Sequence, residues 1–214
     1  MIPALGTDHH IFGHAELPNA NRRAYRMGMP NSWSPWTRAD VLAIPPDGSR
    51  YELVDGQLLV TPAPRGVHQR AIGQLFLLLA PFVERHRLGG TYFSPADLDL
   101  GAGHLVQPDL FVAPLVNGRE PIDWAEIAVP LLIAEVVSPT TAQSDRSLKR
   151  RRFQRSGVAE YWIVDVDARR VERWRPEDPR AEVLTERLVW TPVPGEPALV
   201  LDLDRYFARV WSEA

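Results

Sequence analysis

The stretch PLLIAEVVSP (130–139) decides the fold. Between its two prolines, residues 131–137 are apolar but for one glutamate, the pattern of a central strand buried on both faces. Such a strand needs neighbours in a sheet and helices over both sides, which predicts an α/β domain. The exception is Glu135, because a buried carboxylate is costly unless hydrogen bonds or a cation compensate it. Upstream, LVQPDLFVA (105–113) repeats the pattern as an apolar strand holding one acid, Asp109. Downstream, SDRSLKRRRF (144–153) reads as a helix in which Asp145, Lys149 and Phe153 recur every four residues and share a face.

The other elements follow outward from this centre. Thr37 caps a short helix that stops before Pro45-Pro46, with Asp40 three residues on. YELVDGQLLV alternates around Asp55-Gly56 and predicts a hairpin. Residues 67–88 form a long helix with Ile72, Leu75, Phe76, Leu79, Phe82 and Val83 at helical spacing, kinked at Pro81 and ended by Gly89-Gly90. Two strands, 91–100 and 104–113, are joined by the turn at 101–103. Ser144 caps a helix to about residue 156, with Gly157 as its stop. EYWIVDVDARRVERWRP then gives a strand, a turn and a strand, short strands follow near 182–189 and 198–203, and a helix covers 205–211. Residues 1–35 lack periodicity and read as an extended arm, leaving 36–214 as a single domain. The arm carries His9, His10 and His14, but no carboxylate cluster accompanies them, so a solvated tail is the expectation.

Composition excludes several chemistries. The 214 residues contain no cysteine, so disulfides, thiolate zinc sites and cysteine nucleophiles are absent. No phosphate-binding loop ending in Lys-Ser or Lys-Thr occurs, and no Gly-x-Ser-x-Gly elbow. The longest apolar run, 75–83, is too short to span a bilayer and no signal pattern opens the chain, so a cytoplasmic protein without membrane contact is expected. The net charge of -3 is unlike that of a DNA-coating protein. Residues 146–155 nevertheless gather Arg146, Lys149, Arg150, Arg151, Arg152 and Arg155 without an acid, which suits either phosphate contact or a solvated face. Trp162, Trp174 and Trp211 read as core or interface material rather than base-stacking platforms.

Two acids on adjacent strands could share one hard cation. If Asp109 and Glu135 lie level on one face, they and the carbonyl of Val136 suit Mg2+ or Mn2+. Lys149, brought down by Phe153, could then orient an attacking water and offset charge on a pentavalent transition state. This is the outline of a metal-dependent phosphodiesterase. Taken singly, each acid could equally be a buried hydrogen-bonding group, and Lys149 a surface lysine paired with Asp145.

From Thr37 to Val171 the chain resembles the Uma family of restriction-endonuclease-like proteins, within the PD-(D/E)XK nuclease fold. The resemblance rests on YELVDGQLLV, VHQRAIGQL, VQPDLFV, LLIAEVVSPTT and DRSLKRRRFQRSGVAEYWIVD, in that order. It implies a restriction-endonuclease-like core, a mixed β-sheet flanked by helices in an α/β (α+β) arrangement, with a metal site at the sheet's edge. Pro108-Asp109 occupies the family's Pro-Asp element and Glu135 the acid of its Glu-x-Lys element. Val137 stands where that lysine is expected, and Lys149 matches the Uma-type position instead. Phe153 replaces the usual tyrosine. Glu52 and His68 also match recurrent positions, Glu52 as a further metal or water ligand and His68 to orient a carboxylate or cap the long helix.

The expected function is therefore a Mg2+- or Mn2+-dependent endonuclease acting on nucleic acid, DNA foremost. Asp109, Glu135, Lys149 and Glu52 carry the chemistry, and Asp109, Glu135 and Val136 hold the metal. The competing class is a nuclease-fold module without catalysis that binds nucleic acid or protein, favoured by the acidic charge and the missing Glu-x-Lys. Cutting both strands of a duplex needs two sites, so a homodimer is expected, built through the 160–174 hairpin or the arm, which with the residue after it carries Ile11, Phe12, Leu17, Trp33 and Trp36.

Overall fold

The computed structural model describes residues 35–101 and 103–213. The arm at 1–34, with its three histidines and most of its apolar residues, lies outside the described residues. A six-stranded mixed sheet in the order β3-β4-β5-β6-β7-β8 forms the centre. Its strands are β3 (Gly89–Phe93), β4 (Leu110–Pro114), β5 (Leu132–Val136), β6 (Glu160–Asp165), β7 (Arg170–Trp174) and β8 (Glu182–Leu184). Only β5 and β6 pair in parallel, and the helical run 142–155 makes the crossover between them. β5 is buried along its whole length, as its apolar sequence requires.

The alternation of β4, β5 and β6 divides the core in two. Leu110, Val112, Leu132, Ala134, Val136, Trp162 and Val164 face α2 (Gly66–Arg85), whose Ala71, Ile72, Leu75, Leu79 and Val83 pack on them. Helix α5 (Leu203–Trp211) and the hairpin of β9 (Arg187–Trp190) and β10 (Leu199–Asp202) complete that layer. Phe111, Ile133, Val137, Tyr161 and Ile163 face the other way, where Phe153 of the crossover fills the layer. Over the same face lies a separate hairpin, β1 (Arg50–Val54) and β2 (Gln57–Thr61), turned at Asp55-Gly56 as the sequence predicts. The capping box of Thr37 and Asp40 starts α1 (Arg38–Leu42) beside it.

Three sequence expectations need correction. Helix α2 does not end at Gly89-Gly90. It stops at Arg85, with Arg87 at φ 50° taking the left-handed position, and Gly89 already belongs to β3. Glycine is needed there for room, because a Cβ at Gly89 would sit 1.8 Å from the carbonyl oxygen of Ala113. The strands expected at 91–100 and 104–113 are likewise not one long hairpin. Their ladder ends at Phe93 and Leu110, and beyond it the segments meet through the Ser94 N–H donating to the Asp109 carbonyl, the Leu98–Val106 bridge and the Gln107 amide on Asp97. Pro95 and Pro108 carry no N–H, so a ladder cannot run through them. The excursion brings Leu105 to β1, where the Leu53 and Leu105 backbones bond at 2.7 and 3.0 Å.

Finally, Ser144 does not cap the crossover. The helical run opens at α3 (Ala142–Ser144), and the Ser144 hydroxyl donates to the carbonyl of Thr141. A π turn (Asp145–Lys149) follows, then α4 (Arg150–Arg155). The 160–174 hairpin sits inside the sheet between β5 and β8, with β6 almost wholly buried, so it presents little surface to a second copy.

Candidate active site

Asp109 immediately precedes β4, rather than lying within it. Leu110 pairs with Ala134, so the register continued by one residue sets Asp109 opposite Glu135, on the face of Phe111 and Ile133. Continued once more, it sets Val136 opposite Pro108. The proline has no N–H to donate to the Val136 carbonyl, so the ladder stops there. The Val136 N–H donates to the Asp109 side chain, to Oδ2 at 2.9 Å. The Pro-Asp pair thus ends the β4–β5 ladder and ties the carboxylate to the β5 backbone.

The π turn delivers the lysine. In an unbroken α-helix, residues i and i+8 drift about 80° apart around the axis. Accommodating one extra residue in a π turn brings the same pair to within about 20°. The Arg150 N–H reaches back to the Asp145 carbonyl, and Asp145, Lys149 and Phe153 are all buried toward the sheet. Phe153 packs edge-on to Tyr161, ring centroids 4.8 Å apart. Lys149 Nζ then lies 2.9 Å from Glu135 Oε1, 2.8 Å from Glu52 Oε2 and 3.5 Å from Asp145 Oδ1.

Glu52 arrives from the separate hairpin. The Gln107 N–H donates to its Oε1 at 2.9 Å, which ties β1 to the segment leading into Asp109. Two residues earlier on the same strand, Arg50 donates through Nη1 to Asp109 Oδ1 at 2.6 Å and to the Gln107 carbonyl at 2.9 Å. His68, on the first turn of α2, places Nε2 3.1 Å from Asp109 Oδ2. It does not cap the helix, whose N-terminus has no side-chain cap. All the sequence-predicted side chains therefore come together: Asp109, Glu135, Lys149, Glu52 and His68. Sequence reasoning missed Arg50 and the full part of Asp145. The available signals were the i, i+2 parity of Arg50 with Glu52 and the i, i+4 step from Asp145 to Lys149.

Four carboxylates, Glu52, Asp109, Glu135 and Asp145, are each at most 2% exposed and share this space with two permanent cations, Lys149 and Arg50. The surplus of negative charge shows in the titration of the group. Burial pushes Glu135 well above the usual carboxylate range, with Lys149 opposing it and Asp109, Asp145 and Glu52 adding to it. Burial raises Asp145 in the same way. Asp109 goes down, because the His68 bond and the Arg50 charge outweigh its burial. Against the cost of burial, Glu135, Glu52 and Asp145 hold Lys149 firmly protonated.

Hard oxygen donors carrying surplus charge fit a divalent cation in chemical type. Among the described residues, no three His, Asp or Glu side chains close on one point as ligands. Two carboxylates completed by a main-chain carbonyl and water suit Mg2+, which keeps much of its hydration. The cluster opens to two cavities. One of about 510 Å³ is lined by Arg50, His68 and Asp109 among others, and one of about 300 Å³ by Glu52, Asp145 and Lys149. Thr61, Thr140 and Thr141 line both.

The basic run of the crossover is largely engaged within the fold. Arg146 pairs with Asp165 at 2.7 Å and with Glu172, Arg150 lies 4.7 Å over the Trp174 ring, Arg152 bonds the Gly101 carbonyl and Arg155 faces Asp55. A free basic ridge is therefore not what these residues build. Trp162 is fully buried, as core material should be.

The sheet order and the flanking layers define an α/β protein of restriction-endonuclease-like architecture. The chain belongs to the Uma2 family, described as "Putative restriction endonuclease", whose model matches residues 38–204. Its fold is similar to a solved structure described as a "putative nuclease belonging to DUF820 from Anabaena variabilis ATCC 29413". The two are 20% identical with a TM-score of 0.63, covering 82% of this chain and 99% of that one. No curated protein matches the chain. No helix among the described residues is long and apolar enough to cross a membrane.

Proposed function

We propose that this chain is a divalent-cation-dependent endonuclease that hydrolyses phosphodiester bonds of DNA, using Mg2+ or Mn2+. The observation that carries the reading is the surplus of buried carboxylates over cations, placed where a cleft reaches Asp109. A structural role would not call for three buried acids on one lysine and a fourth on an arginine, since well-packed apolar residues are commonly as stable as buried ion pairs.

Asp109, Glu135 and the Val136 carbonyl would hold the cation. When bound, it lowers the pKa of water and draws charge from the phosphate oxygens. His68 and the Val136 N–H fix the Asp109 carboxylate from behind. Lys149 orients the attacking water and offsets the negative charge that builds on the phosphorus centre. Glu52 anchors the Lys149 amine on the side away from Glu135 and is a further water or metal ligand. The protein acts in the cytoplasm as a homodimer, which places two sites on one duplex. Light scattering at micromolar concentration should give twice the mass of a single chain; a monomer points to single-strand nicking.

The decisive experiment incubates the purified protein with supercoiled plasmid, duplex and single-stranded DNA, and RNA, in Mg2+, Mn2+ or EDTA. Cation-dependent cleavage of DNA that disappears in Glu135→Gln supports the reading. No cleavage of any substrate, or cleavage retained by that variant, overturns it.

A further inference from the structure

Arg50 and Lys149 border different cavities. Lys149 lines the smaller cavity, whereas Arg50 lines the larger one together with Asp109 and His68. The Arg50 side chain is 16% exposed, and its Nε has no hydrogen-bond partner, lying 3.9 Å from Glu52 Oε2. Its grip on the cluster is therefore through Nη1, to Asp109 Oδ1 and the Gln107 carbonyl. The other Asp109 oxygen is already committed to Val136 N–H and His68. Oδ1 is thus the oxygen Asp109 can offer a cation, and Arg50 holds it. A guanidinium and a divalent cation cannot share one buried oxygen without strong repulsion, because charges a few ångströms apart are poorly screened there.

We propose that Arg50 is an exchangeable counter-ion: it neutralises Asp109 while no cation is bound, yields when one binds, and then grips a phosphodiester in the larger cavity. The proposal rests on the cation-dependent nuclease reading above. The guanidinium is suited to the second task, because its planar fork matches two phosphate oxygens. Its stem is rooted in β1, which the paired backbones of Leu53 and Leu105 hold in place, so the head can turn without the strand moving. Ser49, Arg65 and Ser138 line the same cavity and offer further donors to a phosphate.

Arg50→Gln tests both halves. Calorimetric titration with Mn2+ alone should show binding on the order of tenfold tighter in the variant, since one competing positive charge is gone. A fluorescent duplex oligonucleotide should bind the variant on the order of tenfold more weakly when Ca2+ is present, for loss of a bidentate phosphate contact. In EDTA the variant and the natural protein should bind it equally, because Arg50 is then still held by Asp109. A purely structural Arg50 would move neither the Mn2+ affinity upward nor the oligonucleotide affinity in a cation-dependent way. If Arg50→Gln does not fold, Arg50→Lys keeps the charge but loses the fork, so it should show the cation-dependent loss of oligonucleotide affinity without the gain in Mn2+ affinity. Unchanged oligonucleotide affinity of Arg50→Lys in Ca2+ overturns the phosphate-gripping role. The inference is overturned if Mn2+ binds Arg50→Gln no more tightly, or if oligonucleotide binding drops equally with and without Ca2+. A natural protein that neither binds Mn2+ nor cleaves defeats the nuclease reading and this inference together. One that does both while Arg50→Gln leaves Mn2+ affinity unchanged defeats only the role of Arg50.

Discussion

The two faces of the central sheet are built from alternate residues of the same strands, yet they follow different rules. Toward α2 and α5, Leu110, Val112, Leu132, Ala134 and Val164 pack on apolar partners, and the buried Glu160 accepts the Trp162 indole N–H at 2.7 Å. Toward the crossover helix, Phe111, Ile133 and Ile163 begin in the same way, but the layer ends in Asp109, Glu135, Lys149, Glu52 and Asp145. Both faces are buried. The first is held by close packing, in which every side chain contributes. The second holds mutually repelling acids that its apolar portion and the opposite face must stabilise. That asymmetry, on strands only one residue out of phase, is what the proposed nuclease function rests on.

The contrast can be broken first at the acids. Asp109→Asn or Glu135→Gln should lower cation-dependent cleavage by about a hundredfold or more, the scale of losing a principal electrostatic group. Thermal unfolding without added metal should show the Glu135 variant as stable as the natural protein or more so, since burial and three neighbouring acids all disfavour its charge. A strong loss of melting temperature in Glu135→Gln would make that carboxylate structural and erase the difference between the faces.

Lys149→Met probes the same end with the opposite sign. Removing the cation leaves Glu135, Glu52 and Asp145 without their shared partner, and denaturant unfolding should show a loss of about 3 kcal/mol. Leu79→Ala, on the packed face, should cost a comparable amount, about 3 kcal/mol, through lost burial and a cavity. The two differ in remedy. Adding Glu135→Gln should recover part of the Lys149→Met loss and none of the Leu79→Ala loss, because only the first pair is in contact.

The smallest effect lies at the hairpin that carries Glu52. His104 accepts the Asp55 N–H through Nδ1 at 3.1 Å. Burial lowers its pKa from the usual imidazole value, helped by Arg152 and Arg155 and opposed by Asp55 and Asp99. The folded state thus binds fewer protons at this site than the unfolded chain. Its contribution to stability is fully present above the ordinary histidine value and is lost as pH falls through the lowered one. His104→Asn keeps an acceptor for Asp55 but cannot titrate, so its stability should change less with pH from 7 to 5. A parallel slope in the two proteins would remove His104 as the cause.

Most elements were legible in the sequence because their signals are local. The run 131–137 names a doubly buried strand by composition, Asp55-Gly56 names its turn, and the spacing of Ile72, Leu75 and Leu79 names α2. The separation of Asp109 and Glu135 from apolar surroundings was enough to single them out, and Lys149 followed from the four-residue step to Phe153. The misreadings at Gly89, Ser144 and 94–109 all concern boundaries. At Gly89 a distant group decides, the Ala113 carbonyl that leaves no room for a Cβ. At Ser144 and 94–109 the deciding features are local, the π turn at 145–149 and the prolines that end a ladder.

By itself, then, the sequence determined which residue types carry charge into the core, on which strands and helix they lie, and that the apolar material suffices for one layered domain. Periodicity and side-chain chemistry are properties of a segment, so a segment reveals them. Only the tertiary structure decided that Arg50 faces Asp109, that Glu52 reaches Lys149 from a separate hairpin, and that the cluster opens on two sides. Those contacts join residues tens of positions apart, and their distances are set by how layers pack rather than by anything within one stretch of chain.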